Sequence, residues 1–160
     1  MKILFLIPLI CVTSSLIACT LDKGSDVKIL QVDNSKGFLK TDSMKLKITV
    51  GDKVVAATLN DNPTTRDFIS LLPLTLTLTD YNATEKISDL PKKSSTDEAP
   101  VSYKPSIGDI TLYAPWGNIA IFYKDFSYSN GLISLGKITS GIEALKVSGP
   151  VKAKFEIDNN

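Results

Sequence analysis

A cluster of aromatic side chains in the second half of the chain has the composition of a small binding site. It surrounds a predicted turn at residues 114–117 and consists of Tyr113, Trp116, Asn118, Phe122 and Tyr123. Aromatic rings at the mouth of a pocket stack on apolar, prolyl or flat ligands, and an amide directs a hydrogen bond to them. We therefore predict that a small molecule or an extended peptide binds here. Two alternatives remain open, Trp116 as a core side chain and Asn118 as the exit of a turn.

Arg66 is the single arginine of the chain. A guanidinium grips a carboxylate or phosphate through two parallel hydrogen bonds, which a lysine cannot do. Arg66 is therefore a further ligand-binding candidate. The alternative is a structural ion pair with a nearby carboxylate, for which Asp67 and Asp109 are the nearest choices.

Much enzyme chemistry is excluded by composition. The chain has no histidine, which removes Ser-His and Cys-His pairs and histidine metal sites. Four acidic residues could be suggested as an acid/base pair, but their spacing places no two of them on one surface, and we interpret them as solvated charge. They are Asp97, Glu98, Asp109 and Asp125. We predict no catalytic residue, no metal and no cofactor.

Net charge argues against nucleic acid as a partner. The whole chain has 18 Lys and Arg against 17 Asp and Glu, and loss of a segment that contains Lys2 leaves 17 of each. A neutral protein has no positive field to attract phosphate.

The N-terminus has the pattern of an export signal. Lys2 precedes an apolar run from Ile3 to Val12 that is too short to cross about 30 Å of hydrocarbon, so residues 1–18 are predicted to be a signal peptide. Leu16-Ile17-Ala18-Cys19 resembles the lipobox of bacterial lipoproteins. That resemblance implies that Cys19 carries acyl chains such as palmitate. The alternatives are ordinary cleavage nearby or a buried N-terminal strand.

Lipidation of Cys19 would decide where the protein works. Each buried methylene adds about 0.8 kcal/mol, so two or three chains anchor a protein stably. We expect the mature protein in the bacterial cell envelope, attached to the membrane by its N-terminal lipid. Thr20 stands where an inner-membrane retention signal has Asp, which favours the outer membrane if the cell has one, and otherwise the outer face of the cell membrane. Residues 19–43 are polar and broken, and are predicted to be a tether.

The rest of the chain alternates apolar and polar residues over short stretches, which is typical of half-buried strands. Gly51-Asp52 fits a two-residue hairpin turn, and Asn62-Pro63 fits the start of one short helix that runs through Phe68 to Leu72. A single helical turn is predicted at residues 141–145 and a long loop that borders a site at 91–106. The predicted strands are 44–50, 55–59, 74–79, 85–90, 108–113, 118–123, 132–138 and 151–157.

Seven or eight short strands with regular turn signals and no long helix predict a closed antiparallel barrel or a sandwich. Closure is favoured because the first and last strands both alternate and would otherwise be bare edges. We therefore predict a mainly β chain with one domain over residues 44–158.

Four segments resemble a family of small bacterial proteins called cyclophilin-like. They are residues 61–68, 72–76, 108–118 and 121–123, and the resemblance spans roughly Met44 to Ile157. It implies a closed cyclophilin-like barrel with the Pro63 helix covering one end. Catalytic cyclophilins use an Arg, a Gln and a His to grip a prolyl peptide, and this chain does not present that set. The resemblance therefore implies a binding module without prolyl isomerase activity; an isomerase with an altered site is the alternative.

Overall fold

The computed structural model describes residues 44–159, which contain ten strands, one α-helix (α1) and one 3-10 turn. The predicted signal peptide, the predicted lipidation site Cys19 and the predicted tether lie outside the described residues. In chain order the elements are β1 Lys45–Val50, β2 Lys53–Leu59, α1 Pro63–Ser70, β3 Leu74–Tyr81, β4 Glu85–Asp89, β5 Ser102–Tyr103, β6 Asp109–Tyr113, β7 Asn118–Phe122, β8 Ser129–Asn130, β9 Leu132–Ser140, the 3-10 turn Ile142–Ala144 and β10 Val151–Ile157.

Eight of the strands form one closed antiparallel barrel in the order β1-β10-β3-β4-β7-β6-β9-β2, with β2 pairing back to β1. The first and last strands pair with each other, for example Ile48 with Phe155. The prediction of a closed mainly β barrel is confirmed, and the sandwich alternative is wrong. Closure leaves neither of these strands as an open edge.

The first hairpin forms as its alternation predicts. Leu46 and Ile48 point inward from β1, and Val55 points inward from β2. Gly51 has a φ of 61° at the turn, a conformation that glycine adopts without steric cost. The two-residue turn therefore joins β1 and β2 in a single register.

Helix α1 begins as predicted and ends two residues earlier than predicted. The Asn62 side chain accepts a 2.8 Å hydrogen bond from the Thr65 backbone N–H, and Pro63 occupies the first turn. Pro73 disfavours helical geometry in the residue before it, so Leu71 becomes the C-cap. The helix docks on the barrel through Phe68, whose ring meets that of Phe155 edge to face at 6.2 Å.

A buried lysine ties strand β4 to the segment before β10. Lys86 points inward from β4, is fully buried, and its ammonium donates to Asp80 Oδ2 at 2.6 Å and to the carbonyls of Val147 and Gly149 at 2.7 and 2.8 Å. Asp80 also accepts from the Tyr123 hydroxyl at 2.6 Å. The hydrogen bonds from Lys86 and Tyr123 lower the pKa of Asp80. All three N–H groups of the lysine are thereby used.

Strand β7 is buried on both faces, which positions the site. Ile119 and Ile121 point into the barrel core, whereas Ala120 and Phe122 form a second, smaller apolar cluster with Leu132 on the outer wall. The segment predicted as a long loop contains the two-residue strand β5, which pairs with β8. Periodicity cannot reveal strands of two residues. Among residues 44–159 no helix is long and apolar enough to span a bilayer.

Candidate functional site

A cavity of about 220 Å³ lies on the outer wall of the barrel, over β4, β7 and β6. Its centre is Ala120, which pairs with Ile87 on one side and Thr111 on the other. The small Ala120 side chain leaves space between the larger side chains of Asn118 and Phe122, two positions away in either direction on the same face. The lining residues that carry the argument below are Tyr81, Glu85, Tyr113, Trp116, Asn118 and Phe122.

Three aromatic rings form the rim of this cavity. Trp116 is 56% exposed, and its ring meets Tyr113 at 5.3 Å and 83° and Tyr81 at 5.7 Å and 85°. The turn before β7 holds Trp116 there, because the Gly117 backbone N–H donates to the Tyr113 carbonyl at 2.9 Å. The alternative of Trp116 as a core side chain is wrong. We call Tyr81, Tyr113 and Trp116 the aromatic rim.

Asn118 supplies an acceptor without a donor. Its side chain is 2% exposed and lines the cavity, and the Oδ1 atom has no hydrogen-bond partner among the described residues. A buried unpaired polar group costs about 1–3 kcal/mol. A ligand that donates a hydrogen bond to this oxygen would recover that cost, and Asn118 therefore stays a predicted ligand contact.

Glu85 is the acidic group of the cavity. It is 9% exposed and, within residues 44–159, its carboxyl makes no hydrogen bond or ion pair. Burial raises its pKa to about 7. Lys86, the next residue, lies on the opposite face of the sheet, and its ammonium donates a hydrogen bond to Asp80. Glu85 was not predicted as a site residue, because strand periodicity does not show that an outward position is buried.

Four of the six predicted binding residues come together in the cavity: Tyr113, Trp116, Asn118 and Phe122. Phe122 also stacks on Phe126, a lining residue that was not predicted, at 6.2 Å and 30°. The other two predicted residues do not line it. Tyr123 donates its hydroxyl to Asp80, and burial together with that carboxylate raises the pKa of Tyr123 to about 12.

Arg66 lies away from this cavity and forms an exposed ion pair with Asp61. The two carboxylates suggested from the sequence have other partners. Asp67 accepts from the Ser95 backbone N–H at 2.6 Å, and Asp109 binds Lys137 at 2.9 Å. The structural alternative for Arg66 therefore holds with a different acid.

Ser106, Asp109 and Lys137 form a cluster that resembles a serine–lysine pair. Ser106 Oγ lies 2.7 Å from Lys137 Nζ and 3.1 Å from Asp109 Oδ2. Burial alone would raise the pKa of Asp109, but hydrogen bonds from Lys137, the Ser106 backbone and Tyr103 outweigh it and lower the pKa. An ammonium held in an ion pair cannot accept the hydroxyl proton. This cluster fixes the start of β6.

The segment 91–106 borders a second cavity of about 260 Å³. The amides near it are already paired, since Asn60 Nδ2 donates to Ser134 Oγ at 2.8 Å and Asn62 Nδ2 to the Ser134 carbonyl at 3.0 Å. Within the described part of the chain, no three acidic or cysteine side chains converge on a possible metal position. The first cavity is therefore the candidate site.

The chain is a closed eight-stranded antiparallel barrel with a helix after its first hairpin and a cavity on its outer wall. The chain belongs to the Cyclophilin-like family, whose model matches residues 48–156.

The solution structure of a hypothetical protein from Archaeoglobus fulgidus is similar to this chain, with a TM-score of 0.53 and 18% sequence identity. The match covers 72% of this chain and 95% of the other. At that identity the likeness shows the shared fold alone. A search of curated proteins finds no match.

Proposed function

We propose that this chain is a cyclophilin-like binding module that takes a small amphipathic ligand in the outer-wall cavity. The observation that carries the proposal is the buried Asn118 oxygen, unpaired inside a cavity with aromatic walls. A volume of about 220 Å³ is below the roughly 300–1,000 Å³ of pockets for drug-sized ligands. This size favours a small molecule, or one side chain of an extended peptide with its adjoining amide.

A panel of small fragments and short proline-rich peptides tests this function. Trp116 is the only tryptophan, so its fluorescence reports on the rim directly, and backbone NMR shifts locate the contact. We expect a ligand to shift the signals of Asn118 and Ala120. The variant Ala120→Leu fills the cavity floor and should abolish binding, whereas Ala99→Leu, at the second cavity, should not. A panel without any cavity shifts would refute the proposal.

We also propose that the module has no prolyl isomerase activity. The chain contains no histidine, its one arginine is paired with Asp61 away from the cavity, and none of the lining residues is glutamine. In a protease-coupled assay we expect cis/trans isomerisation of the prolyl bond to proceed at the uncatalysed rate, with a relaxation time on the order of tens of seconds or longer at 25 °C. A faster rate that Ala120→Leu suppresses would instead support an isomerase with an altered site.

The lipid anchor on Cys19 belongs to the same proposal. It is supported by the sequence pattern before the cysteine. We expect the full chain to label with radioactive palmitate and to fractionate with membranes, and Cys19→Ser to lose both properties. Labelling that survives the substitution would exclude Cys19 as the attachment point.

A further inference from the structure

We propose that the ligand of the outer-wall cavity is an organic amine whose ammonium group lies beside Glu85, next to the ring of Tyr81. This inference rests on the proposed binding function and specifies the chemical class of the ligand. It is carried by three features of the cavity: a buried acid without a counter-ion, aromatic rings next to that acid, and an unpaired acceptor at the other end.

Glu85 supplies the acidic group of the cavity. Glu85 is almost fully buried, faces the cavity, and has no cationic partner among residues 44–159. Other buried charges in the described structure are paired, as Lys86 is with Asp80 and Asp109 with Lys137. Buried charges are normally paired because desolvation is expensive. A ligand ammonium is therefore the group that Glu85 lacks.

The rings next to Glu85 suit a cation as well. Tyr81 is the direct cross-strand neighbour of Glu85 on β3, and Phe122 is its neighbour on β7. Trp116 stands edge-on to Tyr81 at 5.7 Å. Aromatic faces attract ammonium groups, and tryptophan does so most strongly. The aromatic rim and the carboxyl thus favour the same ligand charge.

The position of Asn118 gives the ligand its length. Glu85 pairs with Phe122, which lies four residues along β7 from Asn118, a distance of about 13 Å at 3.3 Å per residue. Between these two polar ends lies the apolar floor of Ile87 and Ala120. The ligand is therefore an amine with a slender apolar body and a hydrogen-bond donor at its far end.

Proton binding should compete with the amine. Burial raises the pKa of Glu85 to about 7, so the carboxyl is fully ionised only above neutral pH. The titratable groups nearest to it are Tyr81 across the strand pair, Tyr123, whose hydroxyl is held by Asp80, and Lys86, which faces the barrel interior. Tyr113 lines the same cavity, and the backbone N–H of Lys124 donates to the Thr84 carbonyl. Neither lysine lines the cavity.

A matched pair of probes tests the inference. Benzylammonium and benzyl alcohol have nearly the same shape and differ in charge. We would titrate both into the wild-type protein, Glu85→Gln, Glu85→Asp and Glu143→Gln, with Trp116 fluorescence and NMR shifts as readouts. Glu143 is an exposed acid that does not line the cavity, so its variant controls for net charge.

The wild type should prefer benzylammonium by about tenfold or more at pH 8 and lose most of that preference at pH 5.5. Glu85→Gln should remove the preference, Glu85→Asp should retain part of it, and Glu143→Gln should leave it unchanged. Equal binding of the two probes, or a preference that survives Glu85→Gln, would overturn the inference and leave the binding function standing. Absence of binding by both probes overturns the inference too, and a fragment panel without cavity shifts would remove the proposed function as well.

Discussion

At the scale of single residues, the buried polar side chains of residues 44–159 are hydrogen-bonded except around one cavity. Lys86 uses three acceptors and Asp109 receives four donor contacts. Asn118 Oδ1 and the Glu85 carboxyl receive none among the described residues. Unpaired buried groups are costly, and the unpaired Asn118 oxygen therefore supports the proposed binding role of the cavity.

Glu85 should make the fold less stable as pH rises. Its pKa is raised from an ordinary 4.5 to about 7, so the folded state holds a proton that the unfolded state releases between these two values. The contribution of Glu85 to stability is therefore fully present below pH 4.5 and is lost between pH 4.5 and about 7, by at most about 3 kcal/mol. We expect Glu85→Gln to match the wild type near pH 4.5 and to exceed it at pH 8. Urea unfolding of both proteins, with Glu143→Gln as control, measures this; a constant difference across pH would contradict it.

Lys86→Met should be strongly destabilising. The substitution leaves Asp80 and the carbonyls of Val147 and Gly149 without their donor, at a cost of about 3 kcal/mol. Lys152→Met, on the exposed face of β10, removes the same charge and should change the free energy of unfolding by less than about 0.5 kcal/mol. Equal effects of the two substitutions would show that the network is not needed.

At the scale of elements, sequence patterns predicted the structural features that depend on neighbouring residues in the chain. The hairpin around Gly51, the cap at Asn62 and the alternation of β10 depend on neighbours in the chain, and all three are confirmed. The outer face of β7 packs against Leu132 and Tyr103 from other parts of the chain, so periodicity could not show its burial. The aromatic half of the site was predicted from composition, whereas Glu85 required knowledge of which strand face is covered.

Gly136 and Gly51 should respond differently to alanine. A Cβ on Gly136 would lie 2.2 Å from the Thr58 carbonyl oxygen, where β9 crosses close to β2. We expect Gly136→Ala to separate these strands and to cost more than about 3 kcal/mol. A Cβ on Gly51 meets nothing within 4 Å, and only its positive φ is strained, at about 1–2 kcal/mol. Thermal unfolding of both variants measures the two losses of stability. A larger loss for Gly51→Ala than for Gly136→Ala would contradict the close approach of β9 to β2.

At the scale of the whole molecule, β10 joins distant parts of the chain. It lies between β1 and β3, pairing with both. Removing it would open the barrel and expose two strand edges at once. We expect a chain that ends at Pro150 to lose the dispersed NMR spectrum of the folded barrel, and one that ends at Asp158 to retain it. A folded chain ending at Pro150 would show that closure is dispensable.

The filled interior has a consequence for how fast the proposed ligand would exchange. Side chains such as Phe155 and Leu135 occupy the space inside the strands, and the buried Lys86 is hydrogen-bonded to the Val147 carbonyl. A ligand in the outer-wall cavity can bind and dissociate while every strand pair stays intact, and no conformational opening is required. We expect association near the diffusion limit and short residence times, visible as fast exchange in NMR titrations. Such kinetics suit a protein that follows a changing local concentration rather than one that stores its cargo.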